Sequence, residues 1–537
     1  MNNNEQRFLL KNGLIVDGTG GSPFHGNLLV SKNTIEEVSI KALNVEAQTM
    51  DCSGLVIAPG FIDMHSHMDW ILPAANKRPD LLAPFTTQGV TTFFGGNCGF
   101  GIAGFRKNNR FNSLLELRTR GLYSLKWHSM AQYFDHLNKQ GITHNLVNLA
   151  GLGSTRTSIR GFDPSPLSRE EMKEMLYLLE EAMDQGARGV SLGLQYEPDV
   201  FATREELKKV AELVKRKNKI LTVHLKAYLS VSGNYSLRPF GTPHNLRAIA
   251  EMISLARETE VKLQISHLYF TGARTCRTFE RAMKMIDEAV KEGIDVKFDI
   301  VSYNCGQSVL NVIMPEWFLA GLPQIINNKK ALLRLRVELT IMLKLIGASL
   351  EDIQIACANH PELNAFNGWH MNDIARHRHM SDFENLIDII LKTAGKAFIL
   401  MHGHIETDQI RAMMKHSACL FATDATIIPE GTQNPGVYGG FPRFLKLSRE
   451  YKDIALQEAV YKMTGAAAER FNVPKRGTLK KNNAADITVF DWNTVRELNS
   501  PEHPELLPDG IKAVFVNGRH VLREGKADQS IYAGTIL

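Results

Sequence analysis

The sequence predicts an α/β protein: a (β/α)8 barrel in the middle of the chain, with a small β domain assembled from its two ends. Three observations carry that expectation. Short strand-like runs punctuated by turn residues occupy both termini. Between them, helical and strand periodicities alternate in one βα unit after another. Metal-type side chains recur where apolar runs end, and a barrel gathers all its strand C-termini on one face.

At the N-terminus, Phe8-Leu9-Leu10, Lys11-Asn12-Gly13 and Leu14-Ile15-Val16 read as strand, hairpin turn and strand, followed by the turn Asp17-Gly18. Near the C-terminus, 486–491 and 513–518 read as strands that end in turns. The expected β domain is therefore composite, 1–57 with 478–537, around a barrel of 58–477. In the middle, Ser168 with Glu171 and Thr203 with Glu206 fit capping boxes. Each precedes apolar residues at helical spacing: Met172, Met175, Leu176, Leu179 and Ala182 after the first, Leu207, Val210, Leu213 and Val214 after the second. Strands follow at 189–192, 220–224, 262–267 and 295–299, with helices near 245–258 and 277–292. Repeated βα units imply a parallel sheet, and this many favour closure into a barrel. From about 309 to 395 the rhythm breaks into a mainly helical insertion.

The chain has 537 residues, 44% apolar and 22% charged, which is ordinary globular usage. Its 62 Lys and Arg against 57 Asp and Glu leave a formal charge of +5. That excess forms no basic stripe interleaved with aromatics, so nucleic acid is not an expected partner. No apolar run approaches the roughly 18 residues of a membrane span, and the first residues carry no basic-then-apolar leader. Six scattered cysteines without paired spacing fit a reducing, cytoplasmic setting. The expected partner is a small-molecule substrate; the oligomeric state is not legible.

His65 and His67 lie in GFIDMHSHMDW after the apolar run 55–57. At i and i+2 of a strand they share a side, so they suit either a shared metal or two polar loop positions. His224 ends ILTVH and His267 follows LQIS. One histidine after an apolar run is most simply a satisfied core residue. Two on successive strands, joined to an HxH, point instead to a metal constellation. Asp424 ends CLFATD as a turn aspartate or as a carboxylate ligand that also carries protons. Cys98 sits between glycines in GGNCGF, as a small buried cysteine or as a thiolate ligand. His402 and His404 form a second HxH in MHGHIET after Phe398-Ile399-Leu400, read as surface or pocket positions before metal ligands.

Together PGFIDMHSH, GVTTFFGGNCGFG, GARGVSLGLQYEP, TVHLK, QISHL, FATDAT, YGGFPR and MTGAAAERF resemble the amidohydrolase superfamily, and within it the N-acyl-D-amino-acid deacylases. The resemblance covers nearly the whole chain; GNCGF with YGGFPR is its most specific part. It implies a β-sandwich beside the barrel and zinc on the barrel's C-terminal face. It assigns one tight zinc to Cys98, His224 and His267, and a second, weaker metal position to His65, His67 and Asp424. Many binuclear relatives use a carboxylated lysine on the fourth strand; GARGVSLGLQYEP contains no lysine, so Cys98 taking that place is coherent. Asp424 becomes the proton carrier in hydrolysis of a linear amide, and Tyr196, Tyr303, Lys226 and Tyr269 become substrate-binding positions.

Two departures bear on specificity. The family's lysine after SHL is Tyr269 here, and no arginine precedes YGGFPR in 434–437. Both are the family's expected partners for a substrate carboxylate. This implies weak activity on simple N-acetyl-D-amino acids with free carboxylates, unless Lys226 or Arg443 substitutes. Competing readings are an amidohydrolase acting on a cyclic amide or a derivatised substrate, and an inactive scaffold.

Overall fold

The computed structural model describes residues 7–119, 121–236, 241–403, 405–500 and 503–537. The two chain ends share one nine-stranded sheet. Ile487–Phe490 pairs antiparallel with Val56–Pro59, which pairs in parallel with Arg7–Ile15, so the C-terminal strands enter the sheet through the segment that leads into the barrel. Alternating residues of these strands, among them Phe8, Leu10, Ile15, Leu28, Val30, Ile57, Ile487, Val489 and Phe515, bury one apolar cluster.

The N-terminal hairpin expected at Lys11-Asn12-Gly13 is instead a bulge within one strand, Arg7–Ile15. Phe24–Ser31 pairs with both halves, and the register shifts between Leu10 and Gly13. Asn12 takes a left-handed conformation, φ 62°, and its N–H donates to the Asn27 side chain. That local partner satisfies the extra residue, so the strand twists and continues.

Among the described residues the barrel has eight parallel strand positions: Phe61–Asp63, Val90–Gly95, Asn145–Asn148 running on into Ala150–Gly151, Gly189–Gly193, Ile220–His224, Lys262–Ile265, Val296–Ile300 and Cys419–Phe421. Each pairs with the next. A parallel bridge between Ser66 and Ala425, with the Asp424 N–H on the His65 carbonyl at 2.9 Å, joins the last position to the first. Asp63 reinforces that seam by accepting from the Thr423 N–H at 3.0 Å. Both capping boxes are present and open the helices Arg169–Asp184 and Arg204–Arg216.

The stretch 309–395 folds from helices, the longest Lys329–Ile346, but it also contributes one strand, Ile353–Cys357. This strand and Gly306–Val309 flank Phe398–Met401 in an antiparallel sheet of three. Phe398–Met401 is thus part of the insertion's sheet and not a barrel strand, because its backbone groups are taken by those two neighbours. No described helix is long and apolar enough to cross a membrane.

One buried ion pair ties barrel helices together. Arg156 Nη1 lies 3.1 Å from Glu206 Oε1, with side chains 1% and 7% exposed. Glu206 also accepts from the Leu167 and Thr203 N–H groups, and Arg156 Nη2 donates to the Ser165 carbonyl. Removing one partner of such a pair strands the other charge away from water. Arg156→Ala is expected to lower stability by about 3–5 kcal/mol, read as a shift of the urea midpoint; an unchanged midpoint would show that Glu206 is compensated elsewhere.

Candidate metal and active site

The strand-end residues converge. Two sets of metal-type side chains, His65–His67–Cys98–Asp424 and Cys98–His224–His267, each place their ligand atoms within 4.8 Å of one another. Cys98 belongs to both. Its Sγ lies 3.4 Å from His65 Nε2 and 3.3 Å from His267 Nε2, and His267 Nε2 lies 2.9 Å from His224 Nδ1. Asp424 Oδ1 is 3.3 Å from His65 Nε2 and 3.6 Å from His67 Nε2.

The backbone is shaped around this cluster. Cys98, His267 and Asp424 all have positive φ, 53°, 30° and 52°. Non-glycine residues rarely adopt this conformation, and where the fold imposes it the strain concentrates at functional sites. In GGNCGF the flanking glycines are required by space. A Cβ on Gly96 would stand 2.1 Å from the Leu149 carbonyl oxygen, and one on Gly99 2.5 Å from Asp199 Oδ2.

Second partners orient the imidazoles. His65 Nδ1 faces Asp299 Oδ1 at 3.2 Å, and His224 Nε2 faces Gln195 Oε1 at 3.1 Å. A proton on each of those nitrogens leaves the lone pairs of His65 Nε2 and His224 Nδ1 aimed into the cluster. Asp299 also accepts from the His267 N–H at 2.8 Å and from Gln264 at 2.9 Å. Burial, and then the His267 neighbour, hold the His224 imidazole well below its usual range; burial holds His267 down to about 4. Both are therefore neutral imidazoles, the form that binds metal. Burial pushes the Cys98 thiol up to about 11, so a thiolate there needs a positive charge beside it. Burial works to raise the Asp424 carboxyl, but His267, His67 and His65 outweigh it and hold it below the usual carboxylate range. Converging lone pairs and a buried thiol together fit a bound cation, and a thiolate among imidazoles fits zinc.

Of the four expected substrate positions, Tyr196 and Tyr269 line the cavity that opens on His224, His267 and Asp424. The Tyr196 ring lies 4.4 Å from the His224 ring, and the Tyr269 hydroxyl donates to Asp424 Oδ2 at 2.9 Å. Lys226 and Tyr303 are not brought there. The Lys226 ammonium sits 3.1 Å from Glu316 and donates to the Val200 carbonyl. The Tyr303 hydroxyl donates to Asn499 at 2.7 Å. Arg443 is held by Glu497 at 2.8 Å and by the Ser302 carbonyl. His402 lines the outer cavity and contacts Gln354; His404 lies outside the described residues. The sequence reading missed Asp299 and Gln195. Asp299 carried a signal, a carboxylate near the end of the strand-like run Val296-Lys297-Phe298, but nothing in the spacing joins it to His65.

The comparisons with known proteins agree with this geometry. Residues 361–522 match the model of an amidohydrolase family. The chain is 28% identical over 531 residues to a D-aminoacylase of Alcaligenes xylosoxydans xylosoxydans, covering 98% of this chain and 97% of that one. It is 26% identical to an N-acyl-D-glutamate deacylase of the same organism, covering 95% and 92%. The N-acyl-D-glutamate deacylase of Bordetella bronchiseptica, solved with zinc and a phosphonate inhibitor, superposes with a TM-score of 0.81 at 25% identity, covering 99% of each chain. The chain resembles the amidohydrolase superfamily. Within it, it resembles the D-aminoacylases.

The cysteine loop leans on a buried acid. Asp199 Oδ2 accepts from the Gly193 N–H at 2.8 Å beside Gly99, while its Oδ1 has no partner. Burial raises the Asp199 carboxyl from 3.8 to about 7, against the Gly193 N–H and the Arg156 charge. A raised folded value means the native state holds the proton more tightly than the unfolded chain. The stabilisation is complete below the unfolded value near 4 and is lost as pH rises through about 7. Asp199→Asn, which keeps an acceptor for Gly193, should gain melting temperature over the wild type between pH 4 and pH 8. A constant difference across that range would place the proton elsewhere.

Proposed function

We propose that this chain is a metal-dependent amidohydrolase that hydrolyses the linear amide of N-acyl-D-amino acids, giving a carboxylate and a D-amino compound. The carrying observation is the convergence of Cys98, His65, His67, His224, His267 and Asp424 on one face of the barrel in two sets that share Cys98, each with its ligand atoms within 4.8 Å of one another. The deacylase relatives aligned along nearly the whole chain support the same reading. Cys98, His224 and His267 would hold one tight zinc; His65, His67 and Asp424, sharing Cys98, would form a second and weaker position.

When bound, the ion acidifies water from a pKa of roughly 16 to about 7 and polarises the scissile carbonyl. The chain supplies the rest. Tyr269 donates to Asp424 Oδ2, which leaves Oδ1 to accept the proton of the attacking water. Asp424, ionised at neutral pH, then returns that proton to the leaving nitrogen, so that the amine departs neutral. Asp299 and Gln195 keep the imidazoles turned toward the cluster, and the Tyr196 and Tyr228 rings shield His224 from water.

The proposed organisation is a composite β-sandwich of 1–57 and 478–537 beside a barrel of 58–477 with an insertion at about 309–395. The nine-stranded sheet shared by both termini supports it. Six cysteines, none in a disulfide, support a cytoplasmic setting. The test is turnover of paired N-acyl-D- and N-acyl-L-amino acids by zinc-loaded protein. Selective cleavage of D-substrates is expected; hydrolysis of cyclic amides alone would replace this reading.

A further inference from the structure

The cavity that meets the metal-type cluster is walled on its far side by the insertion. Val312, Met314, Met342, Leu343, Ile346 and Ile353 make that wall apolar. Its polar groups are unlike those that receive an anion. Among the described residues that line it there is no lysine or arginine, whereas the carboxylates of Asp352 and Asp424 are both present. The two cations named above as possible substitutes are committed elsewhere, Lys226 to Glu316 and Arg443 to Glu497. Arg118 stacks on the Phe100 ring, 3.6 Å from its centre, and is not part of the lining. A substrate carboxylate entering away from the metal-type cluster would lose water and meet Asp352 and no cationic side chain, which is unfavourable.

One lining group remains unused. Gln307 buries both its amide nitrogen and its amide oxygen without a hydrogen-bond partner. Buried polar groups in native proteins are nearly always paired, so two orphaned atoms on one side chain need an explanation. The residue is also well placed. The next residue, Ser308, donates to the Tyr196 hydroxyl at 3.2 Å, and the Tyr196 ring packs on His224. A carboxylate offers only acceptors; it would satisfy the Gln307 nitrogen and confront its oxygen. A primary carboxamide presents a donor and an acceptor side by side along one edge and satisfies both.

Resting on the deacylase reading, we propose that the preferred substrate is an N-acyl-D-amino acid whose carboxyl group is a neutral amide, held edge to edge by Gln307, with an apolar side chain against the insertion. N-acyl-D-amino acid primary amides are the chemical class, because the N–H and C=O of a trans peptide bond point opposite ways and cannot both meet one side-chain amide. Water adds its hydroxyl to the acyl carbon, the acyl C–N bond breaks, and the proton passes to the amine; the second amide is recognised and left intact.

The experiment compares N-acetyl-D-methionine with N-acetyl-D-methioninamide on zinc-loaded wild type, Gln307→Leu and Gln307→Lys. It measures kcat/KM and, separately, binding by calorimetry. Wild type is expected to favour the amide. Gln307→Leu should lower kcat/KM and affinity for the amide by about 10- to 100-fold, with little effect on the acid, and Gln307→Lys should reverse the preference. Preference of wild type for the free acid, or equal losses for acid and amide in Gln307→Leu, would overturn the proposal. Binding of the amide that depends on Gln307 without turnover of any substrate would sink the hydrolytic reading and leave the recognition intact. Turnover of the acid alone would do the opposite.

Discussion

Asp424→Asn abolishes measurable turnover and leaves tight zinc in place. The substitution preserves shape and an acceptor for the Tyr269 hydroxyl, which lies 2.9 Å from Oδ2. What it removes is the ionised oxygen, Oδ1, that stands 3.3 Å from His65 and 3.6 Å from His67. Proton transfer by a positioned group is worth about 100- to 10,000-fold, and hydrolysis of an unactivated amide depends on it twice, at water and at the leaving nitrogen. A fall in kcat of that size with unchanged zinc content is the expected result, read by steady-state kinetics and elemental analysis of the same preparation. Loss of zinc in parallel with activity would make Asp424 a primary ligand instead. An active Asp424→Ala enzyme would end the mechanism.

Cys98→Ala strips most of the zinc while the barrel stays folded. Cys98 is 2% exposed and is the one side chain common to both groups of ligand atoms. Even residues that merely orient a metal ligand are worth about 10- to 100-fold in affinity, so loss of a shared thiolate should exceed that. Its φ of 53° makes alanine no better suited to the backbone than cysteine. A small change in melting temperature of the metal-free protein therefore separates misfolding from ligand loss. Full zinc and full activity in Cys98→Ala would show that the histidines and Asp424 suffice.

Tyr269 illustrates how the structure changes the reading of specificity. In sequence it stands where the resembled family has a lysine, which marks a missing partner for a carboxylate. In three dimensions its hydroxyl is already committed to Asp424. A lysine placed there would meet Asp424 before any substrate, and would disturb the proton carrier along with the pocket. Gln307 is therefore the cleaner position at which to alter substrate preference.

The residues of the metal-type cluster were legible in the chain because their signal is local. An apolar run long enough to be a buried strand ends at His224, at Asp424 and just before His65, and parallel strands in a closed ring present such ends on one face. The helices were legible for the same reason, since a capping box such as Ser168 with Glu171 is written within four consecutive positions. The contacts that cross the ring carry no such local mark. Asp299 meets His65 from a strand far along the chain, and Gln195 meets His224 from a turn whose direction depends on the barrel's register. The insertion decided still more. It drew Phe398–Met401 into its own sheet, turned Lys226 toward Glu316, and enclosed the orphaned amide of Gln307. Those outcomes depend on how distant segments pack and on which buried groups find partners, and only the assembled fold sets either.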